Sequence, residues 1–256
     1  MEIKNITFAY QDKITRLHDV NTEIKKCEIT TIIGPNGSGK STLLGVMTNN
    51  HQPQQGQILL DGKKINQYKP KDLAKTLGVV HQQNTAPSDM TVEKLTQYGR
   101  LPYKGTFSPL SEEDEKMVEW ALRSTGLYER RHMTIDTLSG GQQQRVWIAM
   151  ALAQDTPYLF LDEPTSNLDI YFQYEILELV RKLNEEHNLT IVMVLHDINQ
   201  AIQYSDTIIA MKHGKIIKKG NPKQIVTEEL IQEVYGVHVV VKRDAELGMY
   251  IVPTGI

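Results

Sequence analysis

A strand that runs directly into a glycine-rich loop and then a helix is the feature that most constrains the fold of this sequence. The run ITTII at 29–33 is apolar or β-branched throughout, as is typical of a strand covered on both faces in a parallel sheet. It continues into GPNGSGK, and STLLGVMTNN at 41–50 predicts a helix. This strand–loop–helix order is the context in which a G-x-x-x-x-G-K-[ST] loop binds nucleotide phosphates.

The loop matches that pattern in full. Its glycines let backbone N–H groups turn toward the β-phosphate, and the following helix adds the positive end of its dipole. The Lys40 ammonium can reach the β- and γ-phosphate oxygens, and the Ser41 hydroxyl can bind Mg²⁺. A chance match is the alternative, which the flanking strand and helix disfavour. The predicted binding residues are Gly34, Pro35, Asn36, Gly37, Ser38, Gly39, Lys40, Ser41 and Thr42.

Composition limits what else the chain can be. The 256 residues are 40% hydrophobic and 23% charged, ordinary values for a globular chain with a sizeable core. The net charge of −3 attracts no polyanion, so no nucleic-acid partner is expected. The single cysteine, Cys27, excludes an intrachain disulfide, and we interpret it as a small residue near a turn rather than a reactive thiol. No stretch resembles a secretory signal or reaches the roughly 20 apolar residues of a membrane helix, so we expect a cytosolic chain whose membrane role comes through partners.

The strand and helix patterns predict an α/β domain with an inserted helical part. Strand patterns (KNITFAY, EITTIIG, GQILLDG) fill the first third, and PYLFLDE and LTIVMVLHD flank a predicted helix at 171–187. In between, Ser111 caps a helix in SEEDEKMVEWALRSTGL, and GRLPYKGTFSP is a surface connection. TIIAMKHGKIIKKGN predicts a hairpin, and the tail predicts one helical stretch, PKQIVTEELIQEVYG, and a second hairpin. We expect a core at 1–86 and 157–220, a helical subdomain at 87–156 and a C-terminal extension at 221–256.

Polar side chains follow three of the predicted strands. Asp162 and Glu163 end YLFL, at the carboxyl edge of the sheet where α/β proteins bind ligands. Asp162 can hold Mg²⁺, and Glu163 can polarise a water for attack on a γ-phosphate. His196 follows IVMVL, where a ring N–H could bond a phosphate oxygen or that water, although an isolated histidine is more often structural. Gln82 follows LGVV, and its amide could sense Mg²⁺ and the γ-phosphate.

A second glycine pair lies in LSGGQ, ahead of the apolar run QQQRVWIAMALA. Ser139, Gly140, Gly141 and Gln142 would therefore sit at a helix N-terminus, which is again an anion site. This helix belongs to the helical insertion, away from the sheet edge that carries Lys40 and Glu163. Two copies related by a two-fold axis could each offer LSGGQ to the other's nucleotide, so we expect a shared site.

With these pieces in one order, the chain resembles the ATP-binding subunit of an ATP-binding-cassette (ABC) transporter. The resemblance covers 1–256, and its most specific parts are GPNGSGKST, LSGGQ, LFLDEPTSNLD and the pair His196-Asp197. It implies a P-loop NTPase (RecA-like) core with an antiparallel β-subdomain and an inserted α-helical subdomain. It also implies a head-to-tail dimer that clamps two Mg²⁺–ATP, with hydrolysis coupled to two membrane permease subunits and, through them, to an extracytoplasmic substrate-binding protein.

The resemblance also assigns roles to single residues. It implies Glu163 as general base, His196 and Gln82 as switch residues, and Lys40 as the phosphate-binding lysine. Tyr10 matches the aromatic that stacks on adenine, the alternative being a strand aromatic in the core. Asp169 matches the acid of the loop that crosses the dimer interface. The implied magnesium ligands are Ser41, Gln82 and Asp162. Two residues depart from the family pattern. Cys27 replaces the usual glycine, which bears on the geometry of that turn but not on the chemistry. Gln143 replaces a frequent arginine, and we expect little consequence from this second change.

Two segments narrow the subtype. TVEKLTQYGRLPYKGTFSPLSEEDEKMVEWALRSTGL is similar to importer ATPases for iron chelates, which carry G-R-x-P-[HY] and a following Ser-x-x-Asp. The short tail is also similar to that group. The resemblance therefore implies an ATPase at the cytoplasmic face of the membrane that powers import of a ferric siderophore.

Alternatives remain open at this stage. Vitamin B12 and haem importers share the pattern, and non-transport ABC ATPases share the ATP motifs. Chromosome-structure enzymes would need long heptad arms, which are absent from the sequence, and translation factors usually carry two cassettes in one chain. An exporter subunit is disfavoured by the chelate-type middle segment. A binding module without turnover is disfavoured because Glu163 and His196 are both present.

Overall fold

A computed structural model describes residues 1–11, 14–105 and 109–256. The predicted connection GRLPYKGTFSP therefore lies partly outside the described residues. The strands are β1 (Glu2–Ala9), β2 (Thr15–Glu23), β3 (Ile29–Ile33), β4 (Gln55–Leu60), β5 (Lys63–Lys64), β6 (Leu77–Val80), β7 (Tyr158–Asp162), β8 (Thr190–Val194), β9 (Thr207–Lys212), β10 (Lys215–Gly220), β11 (His238–Asp244) and β12 (Gly248–Gly255). The helices are α1 (Lys40–Met47), α2 (Pro70–Leu73), α3 (Val92–Gln97), α4 (Glu112–Ser124), α5 (Gly140–Ala153), α6 (Ile170–His187), α7 (Ile198–Tyr204), α8 (Pro222–Ile225) and α9 (Glu228–Tyr235).

The chain divides into two compact units, and the first comprises Met1–Gln67 and Thr190–Ile256. In this unit β3 lies between β8 and β9 and pairs with both in parallel, and β10 adds an antiparallel edge to β9. All five residues of β3 are buried, which explains its uninterrupted apolar and β-branched pattern. A separate antiparallel sheet has the order β2-β1-β4-β5, and β11 and β12 form the terminal hairpin.

The second unit comprises Tyr68–Leu189. Its strands β6 and β7 pair in parallel, in register from Leu77 with Tyr158 to Val80 with Leu161. Helix α4 begins as predicted at a capping box, in which Ser111 and Asp114 exchange side-chain to backbone hydrogen bonds. Helix α6 buries one face through Ile176, Leu177, Val180 and Leu183.

The α/β class, with parallel core strands and a separate antiparallel sheet, is confirmed, and so are both predicted hairpins. The short elements β5, α2 and α7 were not predicted, and three further details differ from the prediction. Strand β2 was not predicted, because its polar residues and its burial pattern give only a weak alternation. The short helix α3, which Thr91 caps, was also missed. The single tail helix is in fact two, because Val226 and Thr227 leave the helical conformation so that Thr227 can cap α9.

In the described chain, no helix is long and apolar enough to cross a lipid bilayer.

Cys27 occupies the turn before β3 with φ 59°, a left-handed conformation that L-residues with a side chain adopt at a cost. The residue is exposed, and its backbone N–H donates to Thr190 Oγ1 at 3.0 Å. The departure from glycine at this position therefore leaves the turn in a glycine-type geometry.

We expect Cys27→Gly to raise the free energy of unfolding by about 0.5–1 kcal/mol, because relief of the left-handed strain exceeds the added entropy of the unfolded chain. Urea unfolding followed by circular dichroism measures the change. Cys27→Ala is the matched control, since it removes the thiol but keeps Cβ, and it should stay near wild type. Equal gains in both variants would show that the thiol, not the backbone, sets the effect.

Candidate active site

The phosphate loop is built where β3 ends and α1 begins. Gly34 is buried with φ 151°, and a Cβ there would lie 2.3 Å from the Met211 carbonyl oxygen. Gly39, with φ 100°, precedes α1. The loop is tied to the β9–β10 turn by a hydrogen bond from the Gly214 N–H to the Ser38 carbonyl, at 2.9 Å. Only glycine fits at position 34, so the loop leaves the sheet along one fixed path.

The polar groups of the loop fit a phosphate group. Lys40 is 5% exposed, and its Nζ donates to the carbonyls of Gly34 at 2.9 Å and Pro35 at 3.1 Å. The Ser38 hydroxyl oxygen is buried and has no hydrogen-bond partner among the described residues. An orphaned hydroxyl and a buried ammonium beside the N-terminus of α1 are the donors that a phosphate oxygen accepts from. Ser41, the predicted metal ligand, is exposed at the start of α1.

Tyr10 lies just beyond β1 and is 41% exposed. Its ring packs edge-on against Phe8, with centroids 4.9 Å apart, and against His51 at 5.3 Å. Its hydroxyl lies 3.2 Å from Thr42 Oγ1 at the end of the phosphate loop. Tyr10 is thus not a core residue, and its exposed ring is held beside the loop by contacts that the sequence did not reveal.

His196 lies in the same unit, two residues after β8, and is exposed. The next residue, Asp197, caps α7 by accepting from the Gln200 N–H at 2.9 Å. The paired residues His196-Asp197 therefore have separate roles: the aspartate fixes the start of a helix, which leaves the histidine at the strand end as the candidate for chemistry.

In the second unit the predicted carboxylates end β7. Asp162 is the last residue of the strand, and Glu163 follows in a left-handed conformation with φ 52°. The Gln82 Nε2 donates to Glu163 Oε2 at 2.5 Å, and the Ser166 hydroxyl donates to the same oxygen at 2.9 Å. The structure thus brings together two residues that lie 81 positions apart. The contact from Ser166 was not predicted.

The LSGGQ segment forms the N-terminus of α5, as predicted. Ser139 is the N-cap and accepts from the Gln142 N–H at 3.4 Å, while Gln142 Oε1 accepts from the Ser139 N–H at 3.1 Å. This reciprocal pair is a capping box, which fixes the first turn without any ligand. Gly140 is exposed at the first helical position.

The two glycines of LSGGQ meet different surroundings. A Cβ on Gly140 would find only Leu168 Cδ2, at an ordinary 3.6 Å. A Cβ on Gly141 would lie 2.6–2.9 Å from three carbons of the Phe172 side chain in α6. Gly141 is therefore required by packing within the chain, whereas nothing within the described chain requires Gly140. Asp169 occupies the N-cap position of α6, but its side chain accepts no capping hydrogen bond.

Gln143 has a larger structural role than predicted. Its Nε2 donates to the carbonyls of Ile135 at 3.1 Å and Leu138 at 3.2 Å. These bonds hold the segment that leads into Ser139, so the residue that replaces a frequent arginine helps to shape the approach to α5.

The G-R-x-P-Y element comprises residues 99–103. It adds no residue to the phosphate loop or to the Gln82–Glu163 pair described above. Arg100 and Asp114 instead form a buried ion pair, with Nε and Oδ1 2.7 Å apart. Burial alone raises the pKa of Asp114, but hydrogen bonds from Arg100 and from the Ser111 backbone and hydroxyl outweigh it, so the pKa lies below its usual value. The Ser-x-x-Asp pattern noted in the sequence is thus both the capping box of α4 and the anchor of Arg100.

The fold and the phosphate loop define the chain as a P-loop nucleotide-binding protein of the α/β class. A family model described as ABC transporter matches residues 17–166, more than half of the sequence. The chain belongs to the ABC transporter family.

Relatives and solved structures agree with that assignment. The chain is similar to the petrobactin import ATP-binding protein FpuC of Bacillus anthracis, with 43% identity over 246 residues that cover 96% of this chain and 90% of that protein. It is also similar to the ferric enterobactin transport ATP-binding protein FepC of Escherichia coli K12, with 43% identity over 253 residues that cover 98% and 93%. The dimeric structure of MJ0796, a bacterial ABC transporter cassette, matches with a TM-score of 0.75 and 35% identity, covering 86% of this chain and 98% of that chain.

We expect Gly141→Ala to lower the free energy of unfolding of the nucleotide-free chain by about 1–3 kcal/mol, because the added methyl group overpacks against Phe172. Gly140→Ala is the matched control and should be neutral or slightly stabilising, since the position is open and alanine favours the helix. Urea unfolding without nucleotide measures both. Equal losses in the two variants would contradict the packing argument.

Proposed function

We propose that this protein is the ATP-hydrolysing subunit of an importer for an iron chelate, most specifically a ferric siderophore. Hydrolysis rests above all on one observation: Glu163 directly follows β7 with its carboxylate hydrogen-bonded to Gln82, in a chain that also carries a complete phosphate loop. A phosphate loop alone binds nucleotide, whereas a positioned carboxylate adds a general base.

In the proposed reaction, Glu163 accepts a proton from a water molecule as the water oxygen attacks the γ-phosphorus in line. The bond to the β,γ-bridging oxygen breaks, and ADP and phosphate leave. The Lys40 ammonium, the Ser38 hydroxyl and the N-terminus of α1 stabilise the charge that develops on the phosphate oxygens. His196 donates a hydrogen bond to the γ-phosphate or to the attacking water, and the exposed ring of Tyr10 stacks on adenine.

Mg²⁺ is part of the proposal. The proposed ligands, the Ser41 hydroxyl, the Asp162 carboxylate and the Gln82 amide oxygen, are the hard oxygen donors that this ion takes. Because the Gln82 amide nitrogen donates to Glu163, the amide oxygen is the atom assigned to the ion. When bound, Mg²⁺ neutralises charge on the β- and γ-phosphates.

A second copy of the chain completes the proposed site. The capping box leaves Gly140 exposed at a helix N-terminus, where backbone N–H groups can donate to a phosphate. Asp169, whose side chain makes no capping hydrogen bond, lies on the loop proposed to cross the interface. The dimeric form of the MJ0796 cassette supports this arrangement. Permease subunits and an extracytoplasmic binding protein are the further proposed partners, with the chain peripheral at the cytoplasmic face.

The cargo assignment rests on the relatives. Proteins 43% identical over nearly the whole chain are named for petrobactin import and for ferric enterobactin transport. The Glu163→Gln variant, captured from membranes of its own cell with ATP, should retain a permease and a binding protein. The binding protein should then bind ferric siderophores, and preferential binding of haem or cobalamin would overturn the siderophore assignment. A partner without membrane helices would overturn transport.

We expect Glu163→Gln to retain ATP binding while lowering kcat by about 10²–10³-fold, because the amide cannot accept the proton from water. Phosphate release measures turnover, and gel filtration with ATP should show a trapped dimer. Glu178→Gln on the exposed part of α6 is the control and should hydrolyse ATP as wild type does. Wild-type turnover in Glu163→Gln would exclude this residue as the general base.

We expect Ser139→Arg, introduced into the Glu163→Gln chain, to abolish the ATP-dependent dimer. The long cation occupies the place of the partner's phosphate, while the phosphate loop of the same chain is untouched. Nucleotide affinity of the monomer, measured with a fluorescent ATP analogue, should stay within about twofold of the parent, since a twofold change is below 0.5 kcal/mol. A dimer that persists would remove the shared-site argument.

A further inference from the structure

A polar cluster at the C-terminal end of α5 has no part in the proposed chemistry. The Arg100 Nη1 donates to the Ala153 carbonyl at 2.8 Å, and the Tyr103 hydroxyl donates to the Gln154 carbonyl at 3.0 Å. The Arg100 guanidinium carbon lies 3.9 Å from the centre of the Tyr103 ring. These groups satisfy carbonyls that a helix end leaves without partners, and the arginine charge complements the helix dipole.

The same cluster reaches the N-terminus of α4. Asp114 binds Arg100 through Oδ1, and its Oδ2 accepts from the Ser111 N–H at 3.0 Å and the Ser111 hydroxyl at 2.8 Å. Both members of the ion pair are more than 90% buried. Arg100 therefore joins the start of one helix to the end of another, through bonds that use its planar geometry.

Close backbone packing and a glutamine extend the cluster. A Cβ on Gly99 would lie 2.1 Å from the Met150 carbonyl oxygen, so the element rests directly on α5. Gln154, the C-cap of α5, donates through Nε2 to the carbonyls of Ala74 and Leu77, where β6 begins. Strand β6 ends at Val80, two residues before Gln82. One end of α5 is thus bound both to the G-R-x-P-Y element and to the strand that leads to Gln82.

We propose that Arg100 and Tyr103 are positioning residues that hold α5 at its C-terminus and thereby aim Ser139 and Gly140, at its N-terminus, toward the nucleotide of a second copy. The inference rests on the proposed function, because it concerns the shared site. It gives the G-R-x-P-Y and Ser-x-x-Asp patterns a role in that site, although neither contacts nucleotide.

The length of α5 explains why its far end matters. Its 14 residues span about 21 Å, so a tilt of about 3° at the C-terminus displaces the N-terminus by about 1 Å. A displacement of about 1 Å at a reacting group can cost on the order of 10²-fold in rate. The hydrogen bonds of the capping box at Ser139 move with the helix and are unchanged by such a tilt. Only the position of Ser139 and Gly140 relative to the nucleotide of the second copy changes.

The test uses the full-length chain and two graded variants. Tyr103→Phe removes one hydroxyl and keeps the ring beneath Arg100, and Arg100→Lys keeps the charge but loses the planar group with its two partners. Arg123→Met is the matched control, because it breaks an exposed ion pair with Glu119 on α4. Melting temperatures are measured first, and activity is assayed at a temperature where every variant is folded.

We expect kcat to fall about 3–10-fold in Tyr103→Phe, as for loss of one hydrogen bond, and about 10–100-fold in Arg100→Lys. ATP affinity of the monomer should be unchanged, and in the Glu163→Gln background the ATP-dependent dimer should weaken in parallel with kcat.

Wild-type kcat and dimer formation in folded Tyr103→Phe and Arg100→Lys would overturn the inference. So would a loss of activity that Arg123→Met shows equally, or one accompanied by an equal loss of monomer ATP affinity. Failure of the proposed function looks different, because wild type itself would then lack ATP hydrolysis and Glu163→Gln would form no dimer with ATP.

Discussion

The close approach of Gly34 to the β9 backbone is the contact on which the phosphate loop depends. A Cβ at position 34 would lie 2.3 Å from the Met211 carbonyl oxygen, so only glycine fits there. The backbone therefore leaves β3 in one fixed direction. That direction sets where α1 starts, and with it where Lys40 and Ser38 lie. A second tie, from Gly214 to the Ser38 carbonyl, anchors the loop to the β9–β10 turn. The nucleotide half-site is therefore an extension of the strand pairing beneath it.

Many of the remaining polar contacts described above lie at helix ends. Ser139 and Gln142 satisfy each other's backbone at the start of α5, and Arg100 and Tyr103 satisfy carbonyls at its end. In α4 the capping aspartate also holds the buried arginine, so a cap and an ion pair share one side chain. Removal of either partner would leave a buried charge, which is far more costly than loss of an exposed pair. The side chains that cap these helices also link the end of α5 to the start of α4.

Local patterns in the sequence predicted the parts of the fold that local chemistry dictates. The strand–loop–helix unit, the Ser111 cap, the helix that starts at LSGGQ and the two hairpins depend on residues close together in the chain, and all are present. The site residues were placed by motif, and their assigned roles stay predictions. What the sequence could not reveal is contact over long separations: Ser38 with Gly214, Gln82 with Glu163, and Gly141 with Phe172. The break at Val226–Thr227 was missed because a threonine inside an apolar periodicity can either continue a helix or cap the next one.

The difference between Gly140 and Gly141 has a practical consequence. The two glycines look equivalent in the sequence but are constrained differently. Gly141 is constrained by packing inside its own subunit, whereas Gly140 is open to a molecule that approaches from outside. If the proposed dimer forms, position 140 is a place where assembly can be altered independently of folding. A subunit modified there would keep its own fold, and pairing it with an unmodified subunit would allow each of the two proposed nucleotide sites to be addressed separately.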